Sequence, residues 1–397
     1  MQLRLVLATA AVALLSAAPA LAIDVKIGVL NDRSGVYADL SGEGSVIAAQ
    51  MAVDDFKAAD KGINVSIVSA DHQNKPDIAS SIARQWYDQD GVDAIFDVPT
   101  SSAALAVSQV TKEKNKVFID SGAGSTDIVG KSCSPNTILW TYDTYALANG
   151  TARTLLKQGK SSWFFITADY AFGQALERDT AAIVKNLGGT VTGDVKYPFP
   201  GSDFSSYLLQ AQGSGAQIIG LANAGGDTVN TVKQAAEFGI TKGGQSLAAL
   251  LVFITDVHAM GLETAQGLLV TSAFYWDRDD GTRAFAKAFA AKNNGKMPTM
   301  VQAGVYASVL DYLKAVDATK GKDSKAVLDW MKANPTDDPL FGKGSILANG
   351  RVLHDMYLYQ VKSPAESKGA WDYFKLVDTI PAKDAFQTVE QSGCTLG

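Results

Sequence analysis

Two periodicities alternate along this chain: short runs of β-branched residues, and stretches in which apolar residues recur every three or four positions. The first helical stretch places Val46, Ala49 and Val53 on one face, after an aliphatic run at 25–30. Strands are predicted at 25–30, 63–67, 93–98 and 116–120, and helices at 46–56, 77–86 and 103–110. This order predicts βαβ crossovers and therefore a parallel sheet covered by helices.

The same alternation begins again near residue 162. Strands are predicted at 162–167, 218–222, 247–253 and 267–273, and helices at 179–187, 229–238, 282–292 and 302–319. The end of the chain differs, because 351–361 and 371–378 have the pattern of antiparallel strands joined by a polar loop. The predicted fold class is α/β, with two lobes that each contain a parallel sheet. No linker separates the lobes, which predicts several short crossings and a cleft between them.

The first 22 residues have the pattern of a secretory signal peptide. Arg4 precedes an apolar run from Leu5 to Leu15, and Ala20-Leu21-Ala22 forms a small-residue cleavage site. A membrane anchor is the alternative, but the run is shorter than the roughly 20 residues that span a bilayer. We therefore predict cleavage after Ala22 and a periplasmic location. That compartment permits a disulfide between Cys133 and Cys394, with two free thiols as the alternative.

The composition of the chain argues against several classes of protein. The chain has 397 residues, of which 47% are hydrophobic and 19% charged, and its net charge is −6. These values exclude a disordered chain and argue against a nucleic-acid partner. With only 3 histidines and 2 cysteines, neither a metal site nor an iron–sulfur cofactor is expected.

Sequence motifs for cofactors and catalysis fail on inspection. Gly124 and Gly130-Lys131-Ser132 are spaced one residue too far apart for a phosphate-binding loop, and the stretch 42–48 lacks the last glycine of a dinucleotide fingerprint. There is no G-x-S-x-G, and His72, His258 and His354 are too scattered to nominate a triad base. We predict a ligand-binding protein without a cofactor rather than an enzyme.

Ligands of open α/β sheets bind at the carboxyl ends of the strands. Two turns there, 99–102 and 121–127, combine hydroxyls with unpaired N–H groups, which suits a carboxylate. The alternative is that their Ser and Thr side chains only cap helices. In the second half, Gly225-Gly226 lets a ligand approach the backbone, Asp227 is either a ligand contact or an N-cap, and the rings at 170–172 and 274–276 are pocket or core.

Five short motifs occur in one order: Ser34-Gly35 with Gly42, Thr100-Ser101-Ser102, Ser121-Gly122-Ala123, Tyr170-Ala171-Phe172-Gly173 and Gly201-Ser202-Asp203-Phe204-Ser205. On these motifs the chain resembles the periplasmic solute-binding proteins of ABC importers, in the branched-chain amino-acid-binding (type I, Leu/Ile/Val-binding-like) family. The resemblance implies a monomer that closes like a Venus flytrap and docks on a membrane permease. It implies three hinge crossings near Tyr142, Thr271 and Leu340. One lobe then comprises 23–142 plus 272–340, and the other 143–271 plus 341–397.

The resemblance also implies the site. A ligand carboxylate is expected at Thr100 and at Ser125 or Thr126, with Phe172 covering the ligand. The full set of predicted ligand contacts is Leu40, Thr100, Ser101, Ser125, Thr126, Phe172, Asp227, Phe253 and Tyr275.

One departure from the family bears on the ligand. Amino-acid binders of this family place an acidic residue after the strand that here is 247–253, where it pairs with the ligand ammonium. Here Phe253 stands there, and the first acid, Asp256, comes late and can be an ordinary cap. A buried ammonium without a partner costs several kcal/mol. We therefore predict an aromatic acid such as a benzoate or phenylpropenoate.

Similarity at 133–137 and 223–227 points to the aromatic-acid subgroup of these binders. Three alternatives remain open at this point. They are a branched-chain or other amino-acid binder, a periplasmic co-receptor for signalling, and a secreted enzyme that uses Asp256 or Asp227 as a base.

Overall fold

The computed structural model describes residues 22–396, so the predicted signal peptide lies outside the described residues except for Ala22. The first sheet has five parallel strands in the order β2-β1-β3-β4-β5. They are β1 (Ile23–Asn31), β2 (Ile63–Asp71), β3 (Ala94–Phe96), β4 (Val117–Asp120) and β5 (Thr137–Leu139).

The second sheet is also parallel, and its order is β7-β6-β8-β9. Its strands are β6 (Ser162–Ala168), β7 (Thr190–Tyr197), β8 (Ile218–Ala222) and β9 (Ser246–Ala249). Two parallel sheets confirm the predicted α/β fold of two lobes.

Two smaller antiparallel units follow along the chain. β10 (Leu269–Ser272), β14 (Met356–Val361) and β15 (Phe374–Ile380) form one sheet, which confirms the predicted antiparallel pairing near the end of the chain. β11 (Thr336–Asp338), β12 (Gly342–Ile346) and β13 (Val352–Leu353) form the other.

Helices cover the sheets. Their bounds are α1 (Gly42–Phe56), α2 (Pro76–Asp88), α3 (Ser101–Lys114), α4 (Thr144–Lys157), α5 (Ala171–Asn186), α6 (Ser205–Gly213), α7 (Gly226–Glu237), α8 (Ile254–Met260), α9 (Leu262–Ala265), α10 (Asp280–Lys292), α11 (Met300–Thr319), α12 (Ser324–Ala333), α13 (Ala382–Ala385) and α14 (Val389–Ser392). None of the helices within 22–396 is long and apolar enough to cross a membrane.

Side chains alternate between the two faces of the first sheet, as the pleat requires. Ile27 and Val29 share a core with α1 and α11, whereas Leu30 and Ile95 pack with α2 and α3. Both faces are apolar because a parallel sheet is covered on both sides. This burial holds the strand ends, and the turns after them, in fixed positions.

Of the differences from the sequence prediction, three have identifiable reasons. β7 was not predicted, since Gly193 and Asp194 interrupt its apolar residues and only one face is partly buried. α4 was missed because Gly150 lowers helix propensity; a Cβ there would lie 2.3 Å from Thr271 Oγ1, so close packing excludes a larger residue. The helix predicted to begin at Asp77 begins one residue earlier, so that Asp77 lies in the first turn of α2 and Lys75 is the N-cap residue.

The C-terminal segment returns to the first sheet. Cys133 and Cys394 form a disulfide with 5.7 Å between their Cα atoms, which confirms the predicted bridge. Arg351 forms an isolated bridge with Leu139 of β5. By contrast, β14 and β15 share a core with the second sheet. The stretch after residue 340 therefore contacts both lobes, whereas the sequence assigned the whole of 341–397 to the second lobe.

Candidate functional site

A small cavity lies between the carboxyl edges of the two parallel sheets. It contains about 200 Å³ of empty space, counting the part that is open to solvent. Its lining residues are Tyr37, Leu40, Pro99, Gly122 and Tyr142 from the side of the first sheet, and Tyr170, Phe172, Ala224, Leu251 and Phe253 from the side of the second. No charged side chain is among them. The arrangement suits a small ligand with an apolar body.

Two buried carboxyl groups hold the turns of the first sheet that reach this cavity. Asp120 Oδ1 accepts hydrogen bonds from the N–H groups of Gly122 (2.9 Å) and Ala123 (3.1 Å), and Asp97 Oδ2 accepts one from Ser41 Oγ (2.7 Å). A Cβ on Gly122 would lie 2.7 Å from Asp97 Oδ1, so only glycine fits there. Pro99 and Gly122 are thereby fixed at the cavity wall.

Burial raises the pKa of Asp97 to about 6 and that of Asp120 to about 7, and the nearby Asp97 charge adds to the rise at Asp120. One oxygen of each carboxyl group lacks a hydrogen-bond partner among the described residues. Both carboxyl groups therefore bind protons more readily in the folded protein than in the unfolded chain.

A pH dependence of stability follows. A raised carboxyl pKa contributes stability that is complete below the unfolded value near 4 and is lost as pH rises through the folded value. We expect Asp120→Asn, which keeps an acceptor oxygen, to lower the stability difference between pH 5 and pH 8 by about 1–2 kcal/mol, because one pKa unit is about 1.4 kcal/mol. Urea unfolding at both pH values measures it. Asp280→Asn, at an exposed carboxyl group, serves as the control. If stability changes equally between pH 5 and pH 8 in the wild-type protein and in both variants, the raised pKa of Asp120 is contradicted.

The predicted hydroxyl groups of the turn 99–102 have partners within the protein. Thr100 Oγ1 donates to Asn74 Oδ1, and Ser101 Oγ accepts from the N–H groups of Gly124 (3.3 Å) and Ser125 (3.2 Å). Neither Thr100 nor Ser101 lines the cavity. However, α3 begins at Ser101 without a side-chain cap, next to Pro99, so its first-turn N–H groups are not occupied by a capping side chain.

The predicted residues of the turn 121–127 hold that turn in place and connect it to α5. Ser125 Oγ accepts from the N–H of Asp127 (3.3 Å). Thr126 Oγ1 donates to Asp179 Oδ2 (2.8 Å) and accepts from Arg178 Nη2 (2.7 Å). Ser125 and Thr126 therefore lie outside the cavity wall, with Thr126 at a contact between the two lobes.

Three of the predicted contacts, Leu40, Phe172 and Phe253, do line the cavity. Phe172 lies against Gly124 of the opposite lobe, where a Cβ would come within 2.9 Å of its ring. The N–H of Phe253 donates to Asp256 Oδ2 (2.9 Å), and burial raises the pKa of Asp256 to about 7. Asp256 is thus a helix cap, the ordinary role left open by the sequence.

Asp227 and Tyr275 lie elsewhere. Asp227 accepts from Tyr197 Oη (2.8 Å) and from the N–H of Gly201 (3.1 Å), and Gly225 rather than Asp227 is the N-cap of α7. The Tyr275 ring packs 5.2 Å from Phe374 in the antiparallel sheet, so it belongs to the core. Neither residue lines the cavity.

The double glycine approaches the backbone of the opposite lobe. The N–H of Gly226 donates to the carbonyl of Val36 in the opposite lobe (3.1 Å). Gly225 has φ 58° and ψ −133°, and a Cβ there would lie 2.6 Å from the same carbonyl oxygen. The predicted close approach is therefore a lobe–lobe contact.

Seven lining residues were not among the predicted ligand contacts: Tyr37, Pro99, Gly122, Tyr142, Tyr170, Ala224 and Leu251. Gly122 and Tyr170 lie within the motifs noted above, but neither was singled out as a contact. Tyr37 and Tyr142 carry no local signal that separates a cavity ring from a core ring, since both kinds are apolar and follow strands.

The chain is similar to known proteins in both sequence and fold. The family described as periplasmic binding protein matches residues 24–370. A periplasmic binding protein from Burkholderia mallei is 52% identical, with a TM-score of 0.92 over 94% of this chain and 99% of that one. A branched-chain amino-acid ABC transporter periplasmic ligand-binding protein from Burkholderia xenovorans is 42% identical, with a TM-score of 0.83 over 93% and 99%.

A third similar structure is a solute-binding protein of an ABC transporter from Rhodopseudomonas palustris in complex with benzoate. It is 21% identical, with a TM-score of 0.82 over 94% of this chain and 100% of that one. At this identity the likeness shows the fold alone.

Proposed function

This chain belongs to the periplasmic binding protein family, and we propose that it captures a small aromatic acid, such as a benzoate or phenylpropenoate, and delivers it to an ABC-transporter permease. The family implies a periplasmic location and a role in transport rather than catalysis. The named ligand class is the part of the proposal that goes beyond family membership.

The observation that carries the ligand class is the uncharged, ring-lined cavity. An amino-acid ligand would bury its ammonium there with no acidic side chain in the lining, at a cost of several kcal/mol. The nearest acid after β9, Asp256, is already committed to the N–H of Phe253. An aromatic acid requires only apolar walls around its ring and hydrogen-bond donors at its carboxylate.

The proposed donors lie at the start of α3. Its first-turn N–H groups have no side-chain cap and sit at the positive end of a 14-residue helix, which favours a carboxylate. Thr100 and Ser101 would assist by exchanging their present partners. Leu40, Phe172 and Phe253 would pack on the ring.

The mechanism proposed is closure of two lobes, 23–142 plus 272–340 and 143–271 plus 341–397, around the ligand. A ligand that contacts both lobes binds the closed form better than the open form and therefore shifts the population toward closure. The closed form would then present one composite surface to the permease.

Calorimetry on residues 23–397 tests the ligand class. We expect micromolar binding of benzoate or cinnamate, about −8 kcal/mol, and no measurable binding of leucine or valine. Small-angle scattering of the same samples should show compaction only with the acids.

The second candidate is a branched-chain amino-acid binder, favoured by the description of the Burkholderia xenovorans protein. Tight binding of leucine, with none of any aromatic acid, would establish that candidate and refute ours.

A further inference from the structure

Two tyrosines from opposite lobes meet at the cavity. Tyr37 follows β1 of the first sheet, and Tyr170 follows β6 of the second. Their hydroxyl groups are hydrogen-bonded to each other, and both side chains line the cavity. Tyr37 is buried, with 2% of its surface exposed, and Tyr170 is partly buried.

The pair has one hydrogen-bond donor too many. Each phenol carries one proton, and the bond between the two oxygens uses only one of them. Neither oxygen has another partner among the described residues. Burial raises the pKa of both phenols, so both keep their protons near neutral pH. One O–H group is therefore left without an acceptor among the described residues, and donors at largely enclosed positions ordinarily find one.

Neighbouring groups do not satisfy this donor. Tyr142 Oη donates a hydrogen bond to the carbonyl of Gly122, so its hydroxyl is not a second unsatisfied donor. Phe199 stacks on the Tyr170 ring at 4.2 Å between centroids and offers no oxygen. The carboxylate of Asp227 is nearby but is bonded to Tyr197 and Gly201. Its charge also disfavours a second anion beside the pair.

We propose that the Tyr37–Tyr170 pair is a specificity subsite that donates a hydrogen bond to a neutral oxygen on the ligand ring. The inference rests on the proposed function and deepens it: the ligand is an aromatic acid with two polar ends. Its carboxylate lies at the start of α3, and a ring hydroxyl or ether oxygen lies at the tyrosine pair. Unsubstituted aromatic acids would leave the donor unsatisfied and bind more weakly.

The test compares ratios of affinities rather than single affinities. Calorimetry on the wild-type protein with benzoate and with 2-, 3- and 4-hydroxybenzoate should give at least one hydroxylated isomer about tenfold tighter than benzoate. In Tyr37→Phe/Tyr170→Phe that ratio should fall to about one. A merely structural role in holding the lobes together would weaken all the acids equally and leave the ratio unchanged.

A matched control is Tyr312→Phe, which removes a buried hydroxyl that has no hydrogen-bond partner within residues 22–396 and lies away from the cavity. It should keep the wild-type ratio. A wild-type ratio near one, or a tenfold ratio that survives in the double variant, would overturn the subsite while leaving aromatic-acid binding intact. Should the double variant not fold, the wild-type ratio and the two single variants decide. If none of the acids binds the wild-type protein, the proposed function fails and the subsite with it.

Discussion

Gly225→Ala is expected to weaken ligand binding about hundredfold. The closed arrangement brings the carbonyl of Val36 to the turn at Gly225, where a Cβ would lie 2.6 Å from that oxygen. The backbone at Gly225, with φ 58° and ψ −133°, is also one that residues with a side chain rarely adopt. A cost of about 3 kcal/mol to the closed form corresponds to about two decades in affinity.

The control for this variant separates strain from collision. Gly239→Ala also places a side chain at positive φ (67°), but nothing lies within 4 Å of the new Cβ. It should cost about 1 kcal/mol of stability and leave affinity near the wild-type value. Calorimetry with the acid that binds wild type, together with scattering, measures both variants. Normal compaction and affinity in Gly225→Ala would mean that this turn does not need to approach Val36.

Arg351→Met is expected to destabilise the protein by about 3–5 kcal/mol. The guanidinium is 1% exposed, lies 3.6 Å from Asp143, and donates to the carbonyls of Trp140 and Tyr142, where the chain passes from β5 to α4. Removing it leaves the Asp143 carboxylate buried without a cation, which is the costly way to break a buried pair. Urea unfolding at pH 7 measures the loss.

The cost should depend on pH. Burial raises the pKa of Asp143 to about 6 against the opposing effect of Arg351, and loss of the arginine raises it further. Because a raised carboxyl pKa contributes stability that is lost as pH rises, Arg351→Met should be more damaging at pH 8 than at pH 5. Adding Asp143→Asn, which can still cap α4, should recover part of the loss. Lys325→Met, which breaks an exposed ion pair, should cost under about 1 kcal/mol. If Arg351→Met and Lys325→Met lower the stability equally, the explanation by a buried ion pair is contradicted.

Much of the fold was predictable because helix and strand periodicity are local properties. The strand 218–222 and the helix that contains Val46 and Ala49 come directly from the spacing of apolar residues. The disulfide was predictable because the sequence contains only two cysteines and its first 22 residues have the pattern of an export signal. The sequence also left open that Asp256 is a helix cap, which the structure bears out.

The candidate site was less predictable, because its residues are brought together by packing rather than by spacing. Tyr170 and Tyr275 both follow strands of the second half, yet one lines the cavity and the other packs on Phe374 in a core. Likewise Thr126 and Asp227 are polar residues in the right turns, but partners distant in sequence, Asp179 and Tyr197, take up their hydrogen bonds.

The amino-acid sequence by itself therefore determined the two α/β lobes with their parallel sheets, the disulfide, and the presence of Phe253 where amino-acid binders have an acidic residue. Each of these depends on residue type or on neighbours along the chain. Only the tertiary structure decided which rings face the cavity, that Val36 approaches the double glycine, and that Tyr37 meets Tyr170. Those features depend on how two separate sheets come together, and the distances across that contact are set by the packing of many residues at once.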